Sequence, residues 1–183
     1  MKYYVVLIRG INVGGKNKMP MSKLKTCLEE LGFSDVTTYI ASGNVIVGSN
    51  KSADQIKTVI EKALPKQFKL DSDLLKVLVL TKSQIQAVVA HKPKGFGEEP
   101  KKYHSDAIFL MDITAEQALR VFTPKEGVDK IWKGKGVIYS QRLSALRTRS
   151  RLNRVMMAPE YKCMTIRNWN TTTKLAQLVK DKR

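Results

Sequence analysis

Histidine is scarce in this 183-residue sequence, with only two, and carboxylates are outnumbered two to one: 16 Asp and Glu stand against 33 Lys and Arg. The motif-bearing stretches 9–21, 42–45 and 167–175 contain no carboxylate at all, which argues against general acid–base work there and against a metal held by protein ligands alone. Cysteine is also scarce. Cys27 and Cys163 lie far apart with no CxxC spacing, so neither a disulfide framework nor a zinc ribbon is encoded. Cys27 falls on the apolar face of a helical pattern and Cys163 enters a strand, and both read as reduced core residues of a cytoplasmic protein. No run approaches 18 consecutive apolar residues, so no membrane-spanning helix is expected. The opening MKYYVVLIRGIN does not read as a signal peptide, because its short apolar run meets Arg9 and lacks a small-residue cleavage site. It reads as a first strand.

What the chain does have is positive charge, +17 in all. Residues 1–80 hold 12 basic and 7 acidic side chains, whereas residues 81–183 hold 21 and 9. Such a field attracts polyanions, namely nucleic acid, nucleotides or other phosphate-bearing partners. A lysine-rich surface serving solubility alone is the plainer alternative.

The order of elements occurs twice. YYVVLI (3–8) is a β-branched run, and Leu24, Cys27, Leu28 and Leu31 then recur at helical spacing up to a stop at Gly32-Phe33. VTTYIA (36–41) and NVIVG (44–48) flank Ser42-Gly43 as a hairpin. Ser52-x-x-Gln55 is a capping box for a helix facing Ile56, Val59, Ile60, Ala63 and Leu64, and LLKVLVL (74–80) closes the unit. Thr81-x-x-Gln84 caps a connecting helix, followed by a Lys-, Pro- and Gly-rich loop (92–102) whose composition suggests mobility. DAIFLMD (106–112) is a strand, and Thr114-x-x-Gln117 caps a short helix. VDKIWK (128–133) and GVIYSQ (136–141) form a hairpin across Gly134-Lys135. An Arg-rich helix (149–158), a strand KCMTI (162–166) and a last helix with Leu175, Leu178 and Val179 complete the chain. The organisation is therefore βαββαβ over 1–80, then a connecting helix, a second βαββαβ and a final helix over 81–183.

Topology gives the motifs a place. In a split βαβ arrangement the loop after the first strand and the hairpin between the second and third emerge at one end of the sheet. That puts RGINVGGKNKMPM (9–21) beside Ser42-Gly43-Asn44. The stretch from Gly10 to Asn17 comes within one residue of GxxxxGK[ST]. Asn17 has no hydroxyl for magnesium, however, and Pro20 interrupts the helix that should start at the lysine, so a nucleoside-triphosphatase loop is not expected. A looser anion pocket fits better: Gly14 and Gly15 permit positive φ and inward N–H groups, Lys16, Lys18 and Arg9 add charge, and Asn12 and Asn17 add amides. A tight turn with solvated lysines is the competing reading. Arg167-Asn168-Trp169-Asn170 joins this pocket if the two halves pack head to tail. Asn170 or Thr171 can cap the last helix, and Trp169 reads as a packing anchor.

Taken together, RGINVGGKNKMPM, the SGN of the hairpin and RNWNT resemble a widespread bacterial family catalogued as domain of unknown function 1697. The resemblance spans nearly the whole chain and is most specific at 9–21, 42–45 and 167–175. It matches Arg9, Asn12, Gly14, Gly15, Lys16, Asn17, Lys18, Ser42, Gly43, Asn44, Arg167, Asn168, Trp169 and Asn170 to the family's motifs. It implies an α+β fold of two ferredoxin-like halves, in agreement with the doubled element order, and it implies no activity or cofactor. RTRSRLNR is more arginine-rich than the family's GxSKL-type pattern.

Candidates for catalysis are few. His91 and His104 lie outside every motif and read as surface or boundary residues, and Ser42 reads as a turn former because SGN lacks a GxSxG setting. No carboxylate falls within the three motif stretches, and no metal set is visible. An RNA recognition motif would need exposed sheet aromatics, for which only Phe109 and Tyr139 are placed. Arg142, Arg147, Arg149, Arg151 and Arg154, with no acidic residue from 142 to 154, better resemble a phosphate-tracking stripe. Three functions follow: nucleic-acid or nucleotide binding, an enzyme acting on a nucleotide or phosphorylated metabolite, or a non-catalytic interaction protein.

Overall fold

The computed structural model describes residues 1–71 and 75–182, which fall into two compact units, Met1–Gln86 with Leu175–Arg183, and Ala87–Lys174. In the first unit, β1 (Lys2–Arg9) is buried from Tyr4 onward on both faces, the pattern of a central strand. It lies between β3 (Asn44–Ser49) and β4 (Lys76–Thr81), and β2 (Ser34–Tyr39) pairs with β3 at the edge, giving an antiparallel order β2-β3-β1-β4. Leu74, the first residue of the expected fourth strand, lies outside the described residues. Helices α1 (Met21–Glu30) and α2 (Ala53–Gln67) cover one face. Leu24, Cys27 and Leu28 with Ile56, Ile60 and Leu64 pack on Tyr4, Val6, Ile8, Val45, Val47 and Val77. Both helix ends form as their local signals require. Ser52 and Gln55 make the reciprocal capping box. At the end of α1, Gly32 N donates to Glu29 O (2.9 Å) and Phe33 N to Leu28 O (3.2 Å), which buries Phe33.

The hairpin departs from expectation. Tyr39 pairs with Asn44, so the turn is the four residues Ile40–Gly43 and not Ser42-Gly43 alone. Ile40 has φ 49° and leaves the strand. Gly43 (φ 73°) lies so close to β1 that a Cβ there would sit 2.5 Å from Ile8 O, while Ile8 N donates to Gly43 O at 2.8 Å.

In the second unit, β5 (Tyr103–Leu110) is central, β7 (Val137–Leu143) and β8 (Met164–Asn168) flank it, and β6 (Asp129–Gly134) pairs with β7. The order β6-β7-β5-β8 is again antiparallel and repeats the first sheet strand for strand. Helix α3 (Lys82–Ala90) connects the sheets in sequence, with Thr81 and Gln84 in reciprocal cap bonds. Helix α4 (Ala115–Leu119) opens on the Thr114–Gln117 capping box. Its Ala115 and Ala118 pack with Leu152 and Val155 on Ile108, Leu110, Ile138 and Met164. The other face holds Phe96, Trp132, Tyr139 and Trp169 edge to face, with centroids 4.9 to 6.2 Å apart. Phe96 therefore pins the 92–102 loop, where composition alone suggested mobility.

Several boundaries shift in this unit. Strand β5 starts at Tyr103 and stops before Asp112, whose φ is 63°. The β6–β7 turn is Lys135-Gly136, with Gly134 still paired to Val137. The Arg-rich helix expected at 149–158 is instead three 3₁₀ segments, Ser144–Arg149, Leu152–Met157 and Pro159–Cys163. Only Leu152 and Val155 are buried in the middle segment, three apart, which suits three residues per turn. Strand β8 starts two residues later than expected. The cap of α5 (Trp169–Lys180) is Asn168, whose Oδ1 accepts from Asn170 N at 3.0 Å, and not Asn170 or Thr171. Lys82 Nζ closes the far end of α5, donating to Lys180 O (2.8 Å) and Lys182 O (3.1 Å).

Candidate functional site

Residues 9–21 form a hairpin-like loop. Val13 and Lys16 bridge, Lys16 N donates to Val13 O (3.1 Å), and Gly14 (φ 58°) and Gly15 (φ 77°) occupy the turn, the signature of type I′. Gly14, Gly15, Lys16 and Lys18 are exposed, and Arg9 is buried opposite Lys76 of β4. The asparagines hold the loop together. Asn12 Oδ1 accepts from Met19 N (2.7 Å), and its Nδ2 donates to Met19 O (2.9 Å) and Ala41 O (2.8 Å). This last bond brings the loop against the Ile40–Gly43 turn, as the topology required. Asn17 is fully buried: its Nδ2 donates to Gly10 O (2.7 Å) and its Oδ1 accepts from Asp71 N (2.6 Å). In the hairpin, Asn44 Nδ2 donates to Tyr39 O (3.1 Å) and Ser42 Oγ (2.9 Å).

The loop is free of carboxylates in sequence but not in space. Asp71 Oδ2 accepts from Asn17 N at 3.1 Å. Two backbone N–H groups that an anion nest would use, those of Lys16 and Asn17, are thus engaged inside the protein. What the loop turns outward is the pair of ammonium groups on Lys16 and Lys18.

The RNWN residues lie at the β8–α5 junction of the second unit. Arg167 is buried, and its Nη1 donates to Thr165 Oγ1 (2.9 Å) and Ile166 O (2.8 Å). Burial pulls its guanidinium down to about 10, so it stays charged at neutral pH. Trp169 is the packing anchor of the aromatic cluster, Asn168 is the helix cap, and Asn170 is exposed. Phe109 and Tyr139 are each 1% exposed, which removes them as a base-stacking platform.

The arginines are presented differently. Arg147, Arg149 and Arg154 are exposed on the 3₁₀ segments, Arg151 is exposed between the first two of these segments, and Arg142 is half-buried, donating from Nη1 to Asn153 Oδ1 at 3.0 Å. No Asp or Glu occurs from Lys130 to Pro159. Asp129, the flanking carboxylate, is buried, and its Oδ2 accepts from Lys125 N (2.9 Å) and Arg151 N (2.8 Å). The fold thus spends the adjacent negative charge on backbone N–H groups.

One constellation was missed in the sequence. His104 Nε2 lies 3.0 Å from Asp106 Oδ2, with the imidazole 43% and the carboxylate 15% exposed. Arg142 is the cross-strand partner of His104, and Ser140 and Asn168 flank Asp106. Burial pushes the Asp106 carboxyl up from its ordinary range, opposed by the His104 and Arg142 charges and the Asn168 amide. The only signal in the sequence was an i, i+2 His–Asp pair in a strand, where alternation places both on one face. His91 is at the surface, its Nδ1 3.0 Å from Ala87 O. Among the described residues, no three His, Cys, Asp or Glu converge as metal ligands, and no helix is long and apolar enough to cross a membrane.

Two four-stranded antiparallel sheets with the same strand order define a duplicated α+β protein with ferredoxin-like halves. The chain belongs to the family described as protein of unknown function (DUF1697), whose model matches residues 1–139. That match includes the glycine loop and the SGN turn and ends before the exposed arginines. The structure is similar to that of the conserved bacterial protein SP0830 from Streptococcus pneumoniae. The two share 26% identity with a TM-score of 0.81, over 97% of this chain and 98% of that one. No curated protein matches the chain.

Proposed function

We propose that the protein binds single-stranded nucleic acid, RNA foremost, through phosphate contacts from Arg142, Arg147, Arg149, Arg151 and Arg154. The observation that carries this reading is the exposed arginine segment in a stretch with no Asp or Glu, beside a carboxylate already committed to backbone donors. Arginine suits the task twice over. Its fork meets phosphate in two-point contacts, and its planar guanidinium stacks on unpaired bases. The 3₁₀ geometry favours a flexible strand over duplex readout, because reading a DNA major groove takes a regular helix or a β-ribbon. Lys16 and Lys18 extend the same chemistry to the first unit, on a loop whose asparagines are already occupied in holding its shape.

Fluorescence anisotropy with a labelled RNA oligonucleotide across a salt series tests this reading. Each phosphate contact contributes about −0.7 to the slope of log affinity against log salt for a single strand. Arg147→Ala combined with Arg149→Ala flattens the slope by roughly 1.4. Lys62→Ala with Lys66→Ala, two exposed residues of α2, leaves it unchanged. Equal slopes for the wild type and the arginine double variant defeat the proposal.

A further inference from the structure

The second sheet holds groups that binding alone leaves unused. We propose that His104 is the general base of an RNA-cleaving site, with Asp106 as its positioning residue and Arg142 as the phosphate contact; this inference rests on the nucleic-acid reading above. Three observations carry it. First, the His104 Nε2–H faces Asp106 Oδ2 at 3.0 Å, which fixes the tautomer and leaves the Nδ1 lone pair as the basic position on a ring 43% exposed. Second, Asp106 lies next to Asn168, its partner in the β5–β8 ladder, and Asn168 is anchored there as the cap of α5 while its Nδ2 donates to Ser105 O at 3.3 Å. That places the RNWN motif beside the pair. Third, Arg142 stands directly across from His104 in the β5–β7 ladder, with cross-strand Cβ atoms about 5 Å apart, and begins the exposed arginine segment.

Ser140, the hydroxyl in register with Asp106, is buried (3% exposed), which leaves water or a substrate hydroxyl to attack, and a hydroxyl next to the scissile phosphate is the better placed of the two. RNA supplies it. His104 Nδ1 takes the proton of a ribose 2′-hydroxyl, the 2′-oxygen bonds to the neighbouring phosphorus, and the P–O5′ bond breaks. The 5′-oxygen takes a proton from water, and His104 returns its proton to solvent. The products are a 2′,3′-cyclic phosphate and a 5′-hydroxyl end, with no net change in redox state. The Arg142 guanidinium offsets the negative charge that gathers on the phosphoryl oxygens.

The test uses the full chain and two end-labelled oligonucleotides of one sequence, one all-RNA and one all-2′-deoxy. The expected result is a cyclic-phosphate product from the RNA and none from the deoxy strand. His104→Gln slows cleavage at least ~100-fold while keeping affinity and melting temperature. Asp106→Asn also slows cleavage, and added imidazole restores activity to His104→Gly. Wild-type protein that binds RNA but leaves it uncut overturns this inference and leaves the binding proposal intact. Protein that does not bind RNA overturns both. Cleavage by His104→Gln at the wild-type rate assigns the activity elsewhere and overturns the inference.

Discussion

Asn17 and Asp71 illustrate how single residues make the glycine loop. Asn17 occupies a left-handed conformation (φ 46°), is wholly buried, and exchanges bonds with the backbone and side chain of Asp71, 54 residues further on. Asn17→Ala leaves Gly10 O and Asp71 N without this partner, and each such buried group costs about 1–3 kcal/mol. A loss of about 3 kcal/mol is expected, a fall of roughly 6–12 °C in Tm for a chain of this size. A thermal melt coinciding with wild type removes this account. Asp106 yields a pH prediction of the opposite kind. Its carboxyl is pushed above the ordinary value of 3.8, mainly by burial, so the folded chain holds this proton more tightly than the unfolded chain does. The buried charge therefore costs stability above the folded-state pKa, and that cost vanishes once the pH falls below 3.8. Asp106→Asn should be more stable than wild type in denaturant titrations at pH 7, and the gap should close in acid. A gap that widens as pH falls reverses the sign and the assignment. A site residue whose removal stabilises the fold is the usual mark of stability given up for function.

Among the elements, those with local signals were legible and those decided by distant partners were not. The capping residues at Ser52, Thr81 and Thr114 each sit three residues before a Gln, and all three pairs form as read. Their bonds span a single turn, so nearby sequence contains everything needed. The arginine segment was misread because apolar residues spaced three apart over two turns fit a helix of 3.6 residues per turn nearly as well as one of 3.0. The 92–102 loop was misread because composition cannot show that Phe96 has three aromatic neighbours waiting. Phe96→Ala empties the middle of that cluster, at a cost of about 3–5 kcal/mol. Urea unfolding measures it, and a loss under 1 kcal/mol shows that the loop is held by something else.

For the whole molecule, charge and duplication set the terms. A net charge of +17 draws polyanions from every side, so a generic attraction and a specific surface predict similar affinities at low salt. The salt series separates them by local substitution, because net charge falls equally in the lysine and arginine double variants while only the latter alters the exposed segment. The doubled element order by itself determined the two antiparallel sheets, the capped helices and the meeting of the 9–21 loop with the hairpin turn. Those features follow from periodicities and short-range bonds that the chain writes along its length. Tertiary structure alone decided that Asp71 would lock the loop, that the sheet aromatics would be buried, and that His104, Asp106, Arg142 and Asn168 would share one face. The last two depend on strand register, since shifting a strand by one residue turns every side chain to the opposite face, and the first joins residues 54 positions apart.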